Sequence, residues 1–325
     1  MFRGKQVLVA GGTGLIGIPL VEMLVAQGAR VRIASLDDPS RAHPSAEFLR
    51  LDLRSLENCM QACTGMQFVF NLLCVKGSPA VTTTRPASFF VPMILFNTNL
   101  MDAAHKCGAE GFLFASSIAV YAPAEIFLED DVWKTFPSPN DRFAGWAKRM
   151  GELQAEAYKT EHGWNNITII RPANVYGPYD NFDSVNAMVV PSLIKRAVSG
   201  DTPMVVWGDG SAERDFIHAH DVARGILMAV DKAPGTVLNL GSGYGLSIKQ
   251  LVETVVGQSS TPLKITWDKS KPSGDRKRIM DVSRAKAIGF EAAITIEAGV
   301  KAVIKWYSEN RNETGKRYDI FDGAR

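Results

Sequence analysis

The chain has few of the features that mark a membrane protein, a nucleic-acid-binding protein or a zinc protein. Its 325 residues include 4 cysteines and 5 histidines, and their spacing fits no zinc site, so no metal is predicted. No apolar run is long enough to cross a bilayer, and the net charge of +2 comes without any basic block. We therefore expect neither a membrane nor a nucleic acid as partner. A strand pattern from Gln6 leaves no room for a signal peptide, and reduced cysteines favour the cytoplasm.

Short apolar runs alternate with amphipathic stretches through the first half of the chain. Strands are predicted at residues 6–10, 30–34, 67–73, 111–116 and 166–172, with helices between them. This alternation is typical of an α/β fold, here a Rossmann-type doubly wound parallel sheet. We predict a dinucleotide-binding domain over residues 1–175, to which segments around 205–240 return. A smaller mixed substrate lobe would cover residues 176–325, and the charged end from Asn310 is predicted to be mobile.

A glycine-rich turn, VLVAGGTGLIG, occupies residues 7–17 between a predicted strand and a predicted helix. Glycine permits the tight turn and lets a pyrophosphate approach the backbone, while the helix N-terminus attracts phosphate. The sequence therefore predicts a dinucleotide site at Gly11, Thr13, Gly14, Leu15, Ile16 and Gly17.

The residues after the second strand bear on the choice between NAD and NADP. Asp37 lies about 20 residues beyond the glycine turn, where a carboxylate holds the ribose hydroxyls of NAD. A strand ending at Ser35 would instead tolerate the 2′-phosphate of NADP, with which Arg41 could pair. Asp37 could also simply belong to a polar turn. We expect NAD or NADP and favour NAD, with Asp52 and Leu53 near the adenine.

Seven motifs together resemble the extended short-chain dehydrogenase/reductases, in particular the NAD-dependent epimerase/dehydratase group that acts on nucleotide sugars. The last three are most similar to the GDP-fucose synthase branch. In chain order the motifs are GGTGLIG (11–17), LDL (51–53), FASSIAVY (114–121), GWAKRMGE (145–152), RPANVYGPYDNF (171–182), WGDGSAERDFIHAHDVA (207–223) and KPSGDRKRIMDVS (271–283).

The resemblance implies hydride transfer at a sugar carbon, with a serine, a tyrosine and a lysine around the reacting oxygen. Ser117 matches the serine and Lys148 the lysine, which lowers the tyrosine pKa and holds the nicotinamide ribose. The tyrosine place, one helical turn before the lysine, holds Ala144. Further dinucleotide contacts are implied for Leu72, Lys148, Pro172, Asn174 and Val175.

Three explanations remain open for Ala144, whose methyl group cannot transfer a proton. It is an engineered active-site substitution, which we favour because the other site motifs are intact. Alternatively, the chain is a natural homologue that binds without catalysing. In the third explanation, another residue supplies the proton, with Tyr121 and Tyr179 nearest by motif.

Other departures from the family pattern narrow the expected reaction. Ile118 and Ala119 replace the acidic residues that the dehydratases carry, which disfavours 4,6-dehydration. Ala119 and Tyr179 replace the cysteine and histidine of the fucose synthases, which disfavours epimerisation at C3 and C5. The remaining reactions are reduction of a 4-keto sugar, oxidation of a 4-hydroxyl group and epimerisation at C4.

The resemblance also places a nucleotide-diphosphate sugar, the expected partner, in the second half of the cleft. Structural roles, such as salt bridges and solvated loop charges, remain alternatives for the charged residues. A homodimer through helices at residues 94–107 and 141–160 is also expected. The substrate-binding residues expected from the motifs are Lys76, Ser78, Ser117, Asn174, Val190, Trp207, Arg214, Lys271 and Arg276.

Overall fold

The computed structural model describes residues 1–77, 79–183, 186–259, 262–271, 274–311 and 316–321, with the side chains of residues 79–81 left out. Ser78 therefore lies outside the described residues. The strands are β1 Gln6–Ala10, β2 Arg30–Ser35, β3 Glu47–Arg50, β4 Phe68–Asn71, β5 Gly111–Ala115, β6 Ile167–Pro172, β7 Asn174–Tyr176, β8 Met204–Trp207, β9 Glu213–Arg214, β10 Phe216–His218, β11 Val237–Leu240, β12 Leu246–Ser247, β13 Ile265–Asp268 and β14 Lys277–Arg278.

Helices of very different length connect and cover these strands. In the described ranges, no helix is both long and apolar enough to cross a membrane. The helices are α1 Gly17–Ala26, α2 Leu56–Cys63, α3 Pro79–Thr84, α4 Pro86–Lys106, α5 Arg142–His162, α6 Val189–Val198, α7 Ala219–Lys232, α8 Ile248–Val256, α9 Ser283–Ala287 and α10 Ile296–Glu309.

Seven parallel strands form the large sheet, in the order β11-β6-β5-β4-β1-β2-β3. Alternate side chains of β1 point to opposite faces of the sheet. Val7 and Val9 belong to one apolar cluster, and Leu8 and Ala10 belong to another. Because successive strand side chains point to opposite faces, both faces of the sheet are buried under helices. The predicted Rossmann-type doubly wound sheet is confirmed.

A third apolar cluster belongs to the smaller lobe, where α6, α8 and α10 pack together. Strand β8 pairs with β13 there, whereas β11 joins the large sheet beside β6. The stretch around residues 205–240 is therefore divided between the two parts of the chain.

The end of the chain returns to the large sheet. Phe321 is only 5% exposed and belongs to the apolar cluster formed by α2, α4 and α5. Within the end predicted to be mobile, residues 316–321 therefore contact the rest of the chain, and the buried ring of Phe321 favours this position.

Candidate active site

A single large cleft of about 1490 Å³ is lined by both the large sheet and the smaller lobe. Its volume exceeds the range of roughly 300–1,000 Å³ that is usual for one ligand. It runs past the carboxyl ends of β1, β2, β4, β5 and β6, where open parallel sheets bind their ligands. The cleft has room for two ligands side by side. Within the described residues, no three potential metal ligands group together.

The glycine turn closes tightly at one end of the cleft. Gly11 has a φ of +80°, and a side chain at Gly17 would collide with the Gly11 carbonyl and with Gly12. Helix α1 then begins at Gly17, and its N-cap residue Ile16 makes no side-chain capping bond. The helix N-terminus thus offers free backbone N–H groups and positive potential to a phosphate, which fits a dinucleotide pyrophosphate. The predicted residues Gly11, Thr13, Gly14, Leu15, Ile16 and Gly17 all line the cleft.

Asp37 lines the cleft just past the end of β2 at Ser35. The Thr13 hydroxyl donates to Asp37 Oδ2 at 2.7 Å, and the Tyr318 N–H donates to Oδ1 at 2.8 Å. Arg41 does not line the cleft. Its buried guanidinium donates to the Thr13 carbonyl at 3.1 Å and lies 3.9 Å from the Asp37 carboxylate, so it supports the glycine turn.

Asp52 and Leu53 also line this end, as predicted. Arg54, which also lines the cleft, donates to both oxygens of Asp52, with Nε 2.9 Å from each. The hydrogen bond from Arg54 is the main cause that lowers the pKa of the Asp52 carboxyl, against the opposing effect of burial. Asp52 is therefore held as a carboxylate beside its own cation.

Ser117, Ala144 and Lys148 line the middle of the same cleft. Ser117 caps the short helical turn Ile118–Val120, where its Oγ accepts from the Ala119 N–H at 3.1 Å. A side chain at Gly145 would collide with the Ala119 carbonyl, so α5 packs closely on this turn. This close packing holds the start of α5, which carries Ala144, against the turn that Ser117 caps. Ala144 is partly buried and lies one helical turn before Lys148.

Lys148 is only 2% exposed, although it lines the cleft. Its ammonium donates to the Leu73 carbonyl, just after β4, at 3.0 Å and to the carbonyl of Ala115, the last residue of β5, at 2.7 Å. Burial lowers the Lys148 pKa, against the opposing charges of Cys74 and Glu152. The two carbonyls fix the amine at the carboxyl edge of the sheet.

Tyr121 and Tyr179, the two alternative proton donors, do not line the cleft. The Tyr121 hydroxyl is buried and donates to Asn239 at 2.6 Å, and burial raises the Tyr121 pKa to about 12. The Tyr179 ring lies 4.9 Å from the Trp306 ring in the smaller lobe. These positions do not favour either tyrosine as a proton donor to a ligand in the cleft.

Glu152, one turn after Lys148, faces the interior. Arg171 donates to its two carboxylate oxygens at 2.9 and 2.7 Å, and the Ser116 hydroxyl donates to one of them. Both partners of this ion pair are only 2% exposed at the side chain. Glu152 therefore ties α5 to strand β6 and to the residue before Ser117, which is a positioning role.

Several predicted ligand-binding residues line the remaining walls, including Leu72, Pro172, Val175, Val190 and Trp207. Asn174 lines the cleft too, and its amide donates to the Asp215 carbonyl at 2.8 Å. Lys76 also lines the cleft, and its ammonium lies 3.0 Å from the buried carboxylate of Asp180. These walls of the cleft thus combine apolar side chains with polar groups.

Arg214 lines the cleft, but Lys271 and Arg276 do not. Lys271 instead lies over the Trp207 ring at 5.8 Å, and Arg276 is exposed. One cleft cation missed from the sequence is Arg278, which is paired in register with Arg214 on the neighbouring parallel strand β9. Alternation along β14 sends Lys277 to Glu125 and Arg278 into the cleft.

The two arginines carry charges of the same sign at close quarters. Burial lowers the pKa of the Arg214 guanidinium, and the Arg278 charge acts in the same direction. A bound anion would relieve both effects, because an opposite charge stabilises the protonated form. This part of the cleft suits a phosphate group.

These features define a Rossmann-type fold whose glycine turn and arginine pair line one cleft. The model of the NAD dependent epimerase/dehydratase family matches residues 7–241. The chain belongs to this family. Solved structures of the same fold include complexes with NAD and with NADP.

Proteins whose names state an activity are similar in sequence to this chain along almost its whole length. A probable GDP-L-fucose synthase 1 from Oryza sativa subsp. japonica is 32% identical, covering 95% of this chain and 93% of the relative. A dTDP-4-dehydro-6-deoxy-D-allose reductase from a Streptomyces species is 28% identical, covering 94% and 97%. The UDP-glucose 4-epimerase of Thermotoga maritima, solved with UDP-glucose, has a TM-score of 0.83 at 25% identity, covering 94% and 99%.

Proposed function

We propose that the chain binds NAD or NADP together with a nucleotide-diphosphate sugar, at a site for hydride transfer at sugar C4. One observation supports this most directly. The glycine turn, the Ser117–Ala144–Lys148 set and the arginine pair Arg214 and Arg278 line one continuous cleft. A dinucleotide bound there supplies or accepts the hydride.

The side chains have separate tasks in this proposal. The Ser117 hydroxyl hydrogen-bonds the sugar oxygen at C4, and Lys148 holds the nicotinamide ribose. Val190 and Trp207 enclose the base, while Arg214 and Arg278 hold the diphosphate by charge-assisted hydrogen bonds. Ala144 stands where the proton carrier belongs. Loss of a general acid or base typically costs about 10²–10⁴-fold in rate, so this chain would turn over poorly.

Simple hydride chemistry suits the site better than multiple epimerisation. The ring of Tyr179 packs on Trp306 outside the cleft, and Ala119 cannot transfer a proton. The Streptomyces relative named as a 4-keto sugar reductase fits the same conclusion. Reduction or oxidation at C4 and C4 epimerisation are the two forms of the proposed reaction.

The position of Asp37 favours NAD. Its carboxylate lines the cleft at the end of β2, where it would accept from a ribose hydroxyl and repel a 2′-phosphate. Arg41 does not line the cleft, and its guanidinium is engaged with the Thr13 carbonyl at 3.1 Å and lies 3.9 Å from Asp37, which also supports NAD in this proposal.

A non-catalytic nucleotide-sugar binding protein is the second candidate function, and Ala144 is the observation that favours it. Every other element of the site would serve binding alone equally well. The two candidates differ only in what a restored acid at position 144 would do.

We also propose that the chain forms a homodimer and that it is a cytoplasmic enzyme. Helices α4 and α5 pack side by side and expose Val91, Leu95 and Leu153, which are 49%, 41% and 45% exposed. A second copy could cover this apolar face as a four-helix contact. Light scattering coupled to gel filtration should give twice the mass of the 35.5 kDa chain.

A thermal-shift screen tests the binding function directly. GDP-, UDP-, CDP- and dTDP-sugars are added with NADH or NADPH, and at least one pair should raise the melting temperature. A ligand at 100 times its Kd stabilises the folded state by about 2.7 kcal/mol. The Arg214→Ala chain should lose the response to the nucleotide sugar but keep the response to the dinucleotide. If no nucleotide sugar stabilises the chain, the proposal is wrong.

A further inference from the structure

The segment Lys316–Phe321 crosses the open side of the cleft beside the proposed adenosine site. The Asp38 N–H donates to the Lys316 carbonyl at 3.0 Å, and the Tyr318 N–H donates to Asp37 Oδ1 at 2.8 Å. Both bonds join the segment to the loop after β2. The segment thus meets the residue predicted to recognise the ribose.

The same segment also contacts the smaller lobe. Arg317 Nη1 donates to the Tyr179 carbonyl at 3.0 Å, and the Asn186 amide donates to Asp319 Oδ2 at 3.2 Å. One short piece of chain therefore bridges both sides of the cleft.

Phe321 anchors the far end of the segment. Its ring is buried in the apolar cluster to which α4 contributes. Its carbonyl accepts from Arg85 Nη1 at 3.0 Å, and the Arg85 guanidinium lies 5.0 Å from the centre of the ring. Among the other described residues of the segment, Ile320 packs partly buried against the same cluster, whereas Tyr318 is 45% exposed. A segment held by one buried ring and a few hydrogen bonds can open without unfolding the domain.

Four consecutive residues of the segment line the cleft: Arg317, Tyr318, Asp319 and Ile320. Together with Asp37, Asp52 and Arg54 they surround the cavity at its adenosine end. We propose that Lys316–Phe321 is a strap that forms the outer wall of the dinucleotide site and slows release of the dinucleotide. This inference rests on the proposed function.

Asp37 links the strap to the dinucleotide. Each carboxylate oxygen accepts two hydrogen bonds, so Oδ1 can hold the Tyr318 N–H and a ribose hydroxyl at once. A dinucleotide in place would therefore favour the closed strap, and the closed strap would favour the bound dinucleotide. Slow release suits a reaction that regenerates the dinucleotide within each turnover, as C4 epimerisation does. In a reductase, which exchanges its dinucleotide in each turnover, slow release would limit the turnover rate.

Stopped-flow displacement of NADH and of NADPH, followed by their fluorescence, measures the release rate. The full chain is compared with a chain lacking residues 316–325 and with Phe321→Ala. Phe321 does not line the cleft, so its loss frees the strap without removing a cleft residue. A chain lacking only residues 322–325 keeps the strap and serves as the matched control, and Phe321→Leu tests rescue by a conservative change.

If the strap slows release, NADH or NADPH should leave at least about tenfold faster from the chain lacking residues 316–325 and from Phe321→Ala than from the full chain. The control truncation and Phe321→Leu should stay within about twofold of the full chain. Equal release rates in the full chain and in the chain lacking residues 316–325 would overturn the strap while leaving the proposed function intact. If the full chain binds neither NADH nor NADPH, the proposed function itself fails, and the strap with it.

Discussion

Arg278 of β14 and Asp141, the N-cap residue of α5, form an ion pair of 2.6 Å across the cleft. An acidic residue of the smaller lobe, Asp275, accepts from the Asn140 side chain at 2.7 Å and from the Ser138 hydroxyl at 3.0 Å. The start of the helix that carries Ala144 and Lys148 is thus tied to the lobe proposed to hold the nucleotide.

Arg278→Ala should weaken binding of GDP and UDP by about 10–100-fold. A hydrogen bond to a charged group contributes about 1.5–3 kcal/mol, and the change also leaves Asp141 to repel the diphosphate. Isothermal titration calorimetry measures the effect. Lys277→Ala is the matched control, because this neighbour on β14 pairs with Glu125 outside the cleft. Equal losses in the two variants would show that Arg278 does not contact the nucleotide.

The buried Lys148 should give stability a specific pH dependence. Burial lowers the folded-state pKa below the unfolded value of about 10.4, so the unfolded chain binds more protons in between. Stability therefore rises with pH through this window, relative to Lys148→Met, which carries no proton. Between about pH 7 and pH 10, the melting temperature of the unmodified chain should rise relative to that of Lys148→Met. A constant difference between the two proteins would contradict the burial of a charged lysine.

The Glu152–Arg171 pair should matter more for stability than the ion pairs at the surface. Glu152→Gln should lower the free energy of unfolding by about 3 kcal/mol, because it leaves the buried guanidinium with no opposite charge. The exposed pair of Asp131 and Lys134 is the control, and Asp131→Asn should cost less than about 1 kcal/mol. Urea denaturation compares the two, and similar losses would mean that the buried pair is not what holds α5.

Local sequence patterns predicted the large sheet and the glycine turn that lines one end of the cleft. Strands β1 and β2 and the glycine turn follow from short apolar runs and glycine spacing, which depend on neighbouring residues alone. Lys148 also followed from its motif, and it lines the cleft.

The missed features depend on contacts between residues far apart in the chain. Arg278 could not be separated from Arg276, because which of them faces the cleft depends on how β14 pairs with β9. The contacts of residues 316–321 were not predicted, since the hydrogen bond from Tyr318 reaches back 281 residues to Asp37. Nothing in the charged segment itself signals that partner. Tyr121 was considered as a proton donor because the motif does not reveal that its hydroxyl is buried against Asn239.

The central claim is that position 144 lacks only the acid of an otherwise assembled hydride-transfer site. The most direct test is Ala144→Tyr, assayed with the nucleotide sugars and dinucleotides that stabilise the chain, by NAD(P)H absorbance and by analysis of the sugar product. Ala144→Phe adds the same ring without the hydroxyl group and serves as the control. We predict that Ala144→Tyr raises turnover by about 10²–10⁴-fold over the unmodified chain, while Ala144→Phe does not. Turnover that stays at the starting level in Ala144→Tyr, with both ligands still bound, would contradict the claim and identify a binding protein.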